Sequence, residues 1–186
     1  MKDPASNVFS NGFDALNRLI NQTSEDGSTV NLTRNGVDAI TAYQDPRSLT
    51  TNYVRNGFGE VIQEVSPDRG TTTYWRDARG LVTQKTDARG VSLSYTYDAA
   101  WRIVGEQNYS QPNDNVWYTY DQTLSGSYSI GRLTTVYDPA GQLERFYDQK
   151  GRIFQETRQT GSAPWVNVGV AYDASGNLQQ MFRRLR

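Results

Sequence analysis

The chain has 186 residues, 19 Lys plus Arg against 20 Asp plus Glu, a net charge of −1, no His and no Cys. Those absences exclude disulfides, zinc fingers, thiol nucleophiles, His-based triads and His-ligated metals. The balanced charge argues against a nucleic-acid-binding arm or a membrane-surface patch, both of which need a positive excess. No run approaches the roughly eighteen apolar residues of a membrane span, and no signal peptide is visible.

The rest of the composition points to β structure. Val, Leu, Ile and Phe number 37, near the level at which a chain buries too little to fold, while Tyr and Trp add 12 and 4 aromatic rings. A Tyr ring can fill a thin core while its hydroxyl stays wet or bonded. With 18 Thr, and only 3 Lys and 6 Glu as helix formers, the mix suits pleated, half-buried strands.

In chain order, residues 1–8, opening Met1-Lys2-Asp3-Pro4, read as a leader or an appended remnant. A repeat then runs from residue 9 to 180. Its first turns start at Phe13-Asp14, Arg34-Asn35, Arg55-Asn56, Arg76-Asp77 and Tyr97-Asp98, so Asp14, Asn35, Asn56, Asp77 and Asp98 fall 21 residues apart. Later copies at Asp121, Asp148 and Asp173 loosen to 23, 27 and 25, giving eight copies. A second turn series opens at Ser24, Asp45, Ser66 and Asp87, also 21 apart. A turn therefore recurs about every ten or eleven residues, leaving strands of about six or seven, and the unit is a repeated hairpin.

Asp, Asn or Ser at the first turn position accepts a hydrogen bond from a backbone N–H two residues on, and Pro46, Pro67 and Pro139 pre-set φ at the second. The last turn position calls for a left-handed backbone, as in a type I turn with a bulge. Asn17, Asp38, Gly59, Gly80, Gly151 and Gly176 suit it; Trp101 does not, and a different local turn is expected there. Between turns the residues alternate: Val91, Leu93, Tyr95 and Tyr97 on one face, and likewise Val168, Val170 and Tyr172, and Leu133, Thr135 and Tyr137. Two insertions, Tyr109 to Asn115 and Gln122 to Ile130, read as surface loops, and residues 181–186 as a C-terminal tail. The expected fold is all-β: a curved antiparallel ribbon of repeated hairpins with about fifteen strands.

Tyr147-Asp148-Gln149-Lys150-Gly151-Arg152-Ile153, together with Gly131-Arg132-Leu133 followed by Tyr137-Asp138-Pro139-Ala140-Gly141, resembles the RHS/YD repeat family. The family pattern is Tyr-Asp, two variable residues, then Gly-Arg-Leu, and the resemblance spans about residues 9 to 180. The first three copies depart, with Phe13, Arg34 or Arg55 in place of Tyr. The resemblance implies a bacterial exported or cell-surface protein whose hairpin ribbon spirals into a hollow shell around a toxic polypeptide. It also implies an association with carbohydrate. Asp138-Pro139-Ala140-Gly141 resembles the start of the segment that closes such shells and self-cleaves, but another repeat follows at Tyr147, so it reads as a turn.

Against this background the candidate sites are weighed. Paired carboxylates could do acid–base work, but Asn and Ser replace Asp in the series, so the Asp residues read as turn starters. Calcium needs several oxygens in one loop, and most turns offer one carboxylate. No catalytic residue, metal or cofactor is therefore expected, and no enzyme. Arg18, Arg102, Arg132 and Arg152 sit just after turns and suit an Arg–Asp ladder across repeats, in preference to binding anionic sugars or phosphates. Trp75, Trp101, Trp117 and Trp165 are the candidate platforms for a sugar, with packing as the plainer use. The first hypothesis is a shell segment whose partners are the remainder of a longer RHS/YD protein or an enclosed toxin polypeptide. The second is a carbohydrate-binding repeat module. Unpaired edge strands also predict a homo-oligomer by edge pairing.

Overall fold

A computed structural model describes residues 9–185; the expected leader at 1–8 lies outside the described residues. The protein divides into two compact units, residues 1–92 and 93–186. The first contains β1 (Ser10–Phe13), β2 (Leu19–Thr23), β3 (Thr29–Arg34), β4 (Ile40–Gln44), β5 (Thr50–Arg55), β6 (Val61–Ser66), β7 (Gly70–Arg76) and β8 (Val82–Thr86). The second contains β9 (Ser92–Tyr97), whose first residue ends the first unit, β10 (Ile103–Asn108), β11 (Val116–Tyr120) and β12 (Leu133–Asp138). It continues with β13 (Gly141–Tyr147), β14 (Ile153–Thr160), β15 (Val166–Tyr172) and β16 (Leu178–Leu185). Strand order follows sequence order and the pairing is antiparallel, an all-β ribbon of hairpins with sixteen strands among the described residues where about fifteen were expected. The segment expected as a tail from 181 continues β16 to Leu185.

Two kinds of strand pair alternate. Pairs closed by the turns at Asp14, Asn35, Asn56, Asp77, Asp98, Asp121, Asp148 and Asp173 carry a bulge one residue after the turn's apolar anchor. Thus Thr33 faces Ala42 while Arg34 faces Ile40, and Phe146 faces Gln155 while Tyr147 faces Ile153. The same shift occurs at β1–β2, β5–β6 and β7–β8 in the first unit and at β9–β10, β11–β12 and β15–β16 in the second. The intervening pairs, such as β2–β3 and β14–β15, run without a shift. A bulge adds a residue to one strand, bends it and increases its twist, so every second pair is locally re-aimed.

The bulge also corrects one alternation. Thr135 faces Thr119 and Leu133 faces Tyr120, with Thr134 as the extra residue, so Leu133 does not share a face with Thr135 and Tyr137. Period two counts every residue, and a bulge inserts one that the count cannot see.

The sheet has no thick core. Tyr147, 7% exposed, is the buried apolar side chain among the described residues, and total accessible area is 12081 Å². Burial is mostly partial, through Tyr, Thr and Arg stems lying along the strands.

Candidate functional site: the turn and latch ladder

The turns at Asp14, Asn35, Asn56, Asp77, Asp98, Asp148 and Asp173 are built alike, whereas Asp121 accepts from Gly131 N across the inserted loop. Asp14 Oδ1 accepts from Leu16 N at 2.9 Å and Arg18 N at 3.0 Å; Asn56 Oδ1 accepts from Phe58 N at 3.0 Å and Glu60 N at 3.1 Å. Asn35, Asp77, Asp98 and Asp148 grip the N–H groups two and four residues on in the same way, and Asp173 grips that of Asn177. One oxygen does this work, which is why Asp and Asn interchange. The second side-chain atom pairs with a charged residue four further on at some turns, while Asp77 Oδ2 takes Arg79, two residues on. Asp Oδ2 takes Arg18, Arg102 and Arg152 at 2.7–2.8 Å, whereas Asn56 Nδ2 donates to Glu60 Oε2 at 2.7 Å. The Arg18 guanidinium hydrogen-bonded to Asp14 holds that carboxyl below the usual range, and the Arg102 backbone N–H does so first for Asp98.

The closing position is left-handed at Asn17, Asp38, Gly59, Gly80, Gly151 and Gly176, with φ between 59° and 92°. Trp101 has φ 67° and closes an identical turn, with Trp101 N bonded to Asp98 O and Asp98 N to Arg102 O, both at 3.0 Å. The expectation of a different turn there is corrected. A left-handed non-glycine residue costs roughly 1–2 kcal/mol, and Asp98's backbone and side-chain bonds hold the turn against it. At Gly151 a side chain meets a second obstacle, because a Cβ would run into the Arg132 guanidinium of the preceding repeat.

At six turns the residue before the starting Asp or Asn joins neighbouring repeats. Tyr120 Oη donates to Ile103 O at 2.9 Å, Tyr147 Oη to Leu133 O at 2.6 Å and Tyr172 Oη to Ile153 O at 2.8 Å. In the first unit Arg34, Arg55 and Arg76 do the same with Nε, donating to Leu19 O, Ile40 O and Val61 O at 3.0–3.2 Å. In all six cases the acceptor is the apolar anchor after the preceding turn. The bulge-free ladder has stopped two residues beyond it, at Asn21, Ala42, Gln63, Gly105, Thr135 and Gln155. Neighbouring bulged ends diverge there, and a long planar donor supplies the hydrogen bond that the backbone no longer makes. The departures at Arg34 and Arg55 are thus chemically equivalent to Tyr, an equivalence the sequence reading missed. The signal was the shared reach and terminal donor of the two side chains at one phase of the repeat.

The Arg of Gly-Arg-Leu has a matching role. Arg102 lies 4.3 Å from the Tyr120 ring centroid, Arg152 4.1 Å from Tyr172 and Arg132 5.6 Å from Tyr147. Arg102 also bridges Asp98 and Asp121, each at 2.7 Å, and Arg158 pairs with Asp138 through both nitrogens at 2.6 and 2.8 Å. Arg18 and Arg102 each pair with an Asp of the next repeat as well as with their own, Asp38 at 3.7 Å and Asp121 at 2.7 Å, whereas Arg152 pairs with Asp148 of its own turn. Arg132 instead donates to the carbonyls of Tyr128 and Ile130 at 2.8 and 3.0 Å. Asp138 accepts from Ala140 N and Gly141 N at 2.9 and 3.0 Å, the geometry of a turn.

The second insertion is more than a surface loop. Thr134 and Thr135, 0% and 2% exposed, both donate to Gln122 Oε1, while Ser127 Oγ accepts from Tyr147 N and Tyr128 N donates to Tyr147 O. The loop fastens onto the end of β13. The first insertion forms a short 3₁₀ helix, Pro112–Asp114.

The four Trp residues occupy different settings. Trp75, 47% exposed, lies on β7 beside an open trough of about 790 Å³ in the first unit, lined also by Val54, Phe58 and Tyr74. Trp101 is in a turn; Trp165, half-buried, precedes β15. Trp117 covers Gly105, whose Cβ would lie 2.7 Å from the indole, an aromatic shielding a strand glycine. Among the described residues no group of three or more Asp or Glu could hold a metal ion, and no helix is long and apolar enough to cross a membrane.

Comparison with known proteins follows this geometry. Residues 76–108 match the RHS repeat family. The chain resembles a Tc holotoxin pore of Photorhabdus luminescens at TM-score 0.73 and 12% identity, over 96% of this chain and 11% of that one. It resembles a TcdB2-TccC3-Cdc42 structure at 0.74 and 12%, with the same coverage. A TcdB2-TccC3 structure matches at 0.55 and 11%, over 98% of this chain and 14% of that one. At these identities the likeness is one of fold, and the chain spans about a tenth of the length of those proteins. A search of curated proteins finds no match. Residues 76–108 thus match an RHS repeat by sequence, and the same turn and bulge recur on either side of it.

Proposed function

We propose that this chain is a wall segment of a β-shell that encloses a polypeptide, acting by containment without chemistry of its own. The observation that carries the reading is the latch ladder. Within each unit neighbouring repeats are tied by backbone, carbonyl and guanidinium contacts, so the Tyr, Arg and Asp residues at the recurrent positions are used to hold the ribbon together. Its partners on this reading are further repeats of a longer exported protein and the enclosed chain. The carbohydrate reading is not favoured, because Trp117 is occupied in covering Gly105 and Trp101 in closing a turn. The test is a chimera in which this segment replaces the structurally matching repeats of a TcdB2-TccC3 chain. Persistence of a protease-resistant internal polypeptide is expected. Digestion at the rate of the released polypeptide would overturn the reading.

A further inference from the structure

The sequence holds three Asn-Gly steps, at 11–12, 35–36 and 56–57. Two of them open turns and share the context Arg-Asn-Gly, at Arg34-Asn35-Gly36 and Arg55-Asn56-Gly57. In both, the Asn Oδ1 is held by the N–H groups two and four residues on. Val37 N and Ala39 N reach Asn35 Oδ1 at 3.1 and 2.9 Å, and Phe58 N and Glu60 N reach Asn56 Oδ1 at 3.0 and 3.1 Å. A side chain bonded to the N–H two residues on lays its amide carbon over the peptide nitrogen between them, that of Gly36 or Gly57. Two backbone N–H groups on one carbonyl oxygen are also the donor set that stabilises an oxyanion when a nucleophile adds to the carbon. Gly36 and Gly57 are exposed, and a Cβ at either would meet nothing within 4 Å, so a ring can close there without a clash.

The surroundings of the two sites differ. Arg18 Nη1 donates to Asn35 O at 3.2 Å, and that oxygen belongs to the peptide whose nitrogen is Gly36 N. A cation on a peptide oxygen favours loss of the N–H proton from the same peptide. The residue one repeat on from Arg18 is Ala39, which brings no cation to Asn56. The Asn56 amide instead donates to Glu60 Oε2 at 2.7 Å. That bond ties down the nitrogen that would leave and sets a negative charge beside the carbonyl. Four residues after Asn35 stands Ala39, whose methyl does neither. At Asn11-Gly12, in β1, the Asn21 side chain fills the space beside Gly12.

We propose that Asn35-Gly36 is a self-modification site, deamidating in the folded chain faster than Asn56-Gly57. Water or hydroxide takes the Gly36 N–H proton, and the nitrogen lone pair forms a bond to Asn35 Cγ. The Oδ1 oxyanion collapses, the Cγ–Nδ2 bond breaks, and ammonia leaves with a proton drawn from water. Water then opens the succinimide at either carbonyl, leaving aspartate or isoaspartate at position 35, with no oxidation or reduction. The aspartate product keeps an oxygen for Val37 N and Ala39 N and adds a negative charge near Arg18, so this turn takes on the chemistry of the Asp turns.

The experiment incubates the full chain in mildly alkaline buffer, folded or in urea. Mass spectrometry follows loss of the unmodified tryptic peptides 35–47 and 56–69, neither of which holds another Asn. The products should carry the mass gain of an amide-to-acid change. In the folded chain Asn35 should convert about two- to tenfold faster than Asn56, the effect of one hydrogen bond on a barrier. In urea the shared Arg-Asn-Gly context should bring the two rates together. Equal rates in the folded chain, a faster Asn56, no conversion at Asn35, or the same ratio in urea would overturn the proposal.

Discussion

At the residue scale, interchange at the two recurrent positions follows hydrogen-bond inventory. The turn starter needs one acceptor oxygen, and at some turns its second atom selects a cation or an anion four residues on. Asn56→Asp should therefore destabilise the chain, because it sets a carboxylate against Glu60 where an amide now donates. The effect should be on the order of 1 kcal/mol or less in urea unfolding, and adding Glu60→Arg should restore stability by recreating the Asp98–Arg102 pair. The latch needs reach and a terminal donor. Tyr147→Phe leaves the Leu133 carbonyl without its side-chain partner at a 7%-exposed site, and a loss of about 1–2 kcal/mol is expected. Arg76→Tyr should cost much less than Arg76→Leu, since phenol can replace guanidinium there as Tyr does in the second unit. Trp101→Gly should stabilise by about 1 kcal/mol, because it relieves a left-handed non-glycine residue.

At the scale of the element, the bulge sets the phase. Deleting Thr83, the extra residue of the β7–β8 pair, would slip the register and turn the rest of β8 to the opposite face. Hydrogen exchange should show β8 losing protection, whereas deleting Gln111 from the insertion turn should leave β10 and β11 protected. The hairpin period, the turn starters and most left-handed positions were legible in the sequence because each depends on local chemistry within four or five residues. Three features were not. Trp101 sits in the left-handed region because Asp98's grip outweighs local preference, and propensity alone cannot register that. The bulge at Thr134 is one uncounted residue in a pattern of period two. The latch joins residues 14 to 19 apart, Arg34 to Leu19 and Tyr172 to Ile153 among them, and nothing local marks the acceptor, which is a backbone carbonyl. The Arg–Asp ladder across repeats was legible at Arg18 and Arg102, while Arg152 pairs within its own turn. Arg132 was missed because the inserted loop brings its own carbonyls to the guanidinium.

At the scale of the whole molecule, the two units carry different latches and should part company in alkali. Burial raises the Tyr120 and Tyr147 phenols above their ordinary range, and Tyr118, buried and bonded to Glu106, is pushed up to about 12. A folded-state value above the unfolded one means stability that is full below about pH 10 and lost as pH rises beyond it. Exchange protection around Leu133 should therefore fail as pH rises above about 10 while that around Ile40 and Val61, held by guanidinium, persists. At the acid end the sign reverses. Asp14, Asp98, Asp121 and Asp138 lie below their ordinary 3.8, so their contribution is present above about pH 4 and is lost as pH falls below it. Circular dichroism during acid titration should show β structure lost below that point. The thinness of the sheet has a calorimetric counterpart. Little apolar area passes from protein to water on unfolding, so the heat-capacity increment should fall below the roughly 12–15 cal/mol/K per residue of globular domains. The unfolding enthalpy then changes little with temperature, the stability curve is broad and flat, and chilling weakens the ribbon far less than it weakens a protein held by a thick core.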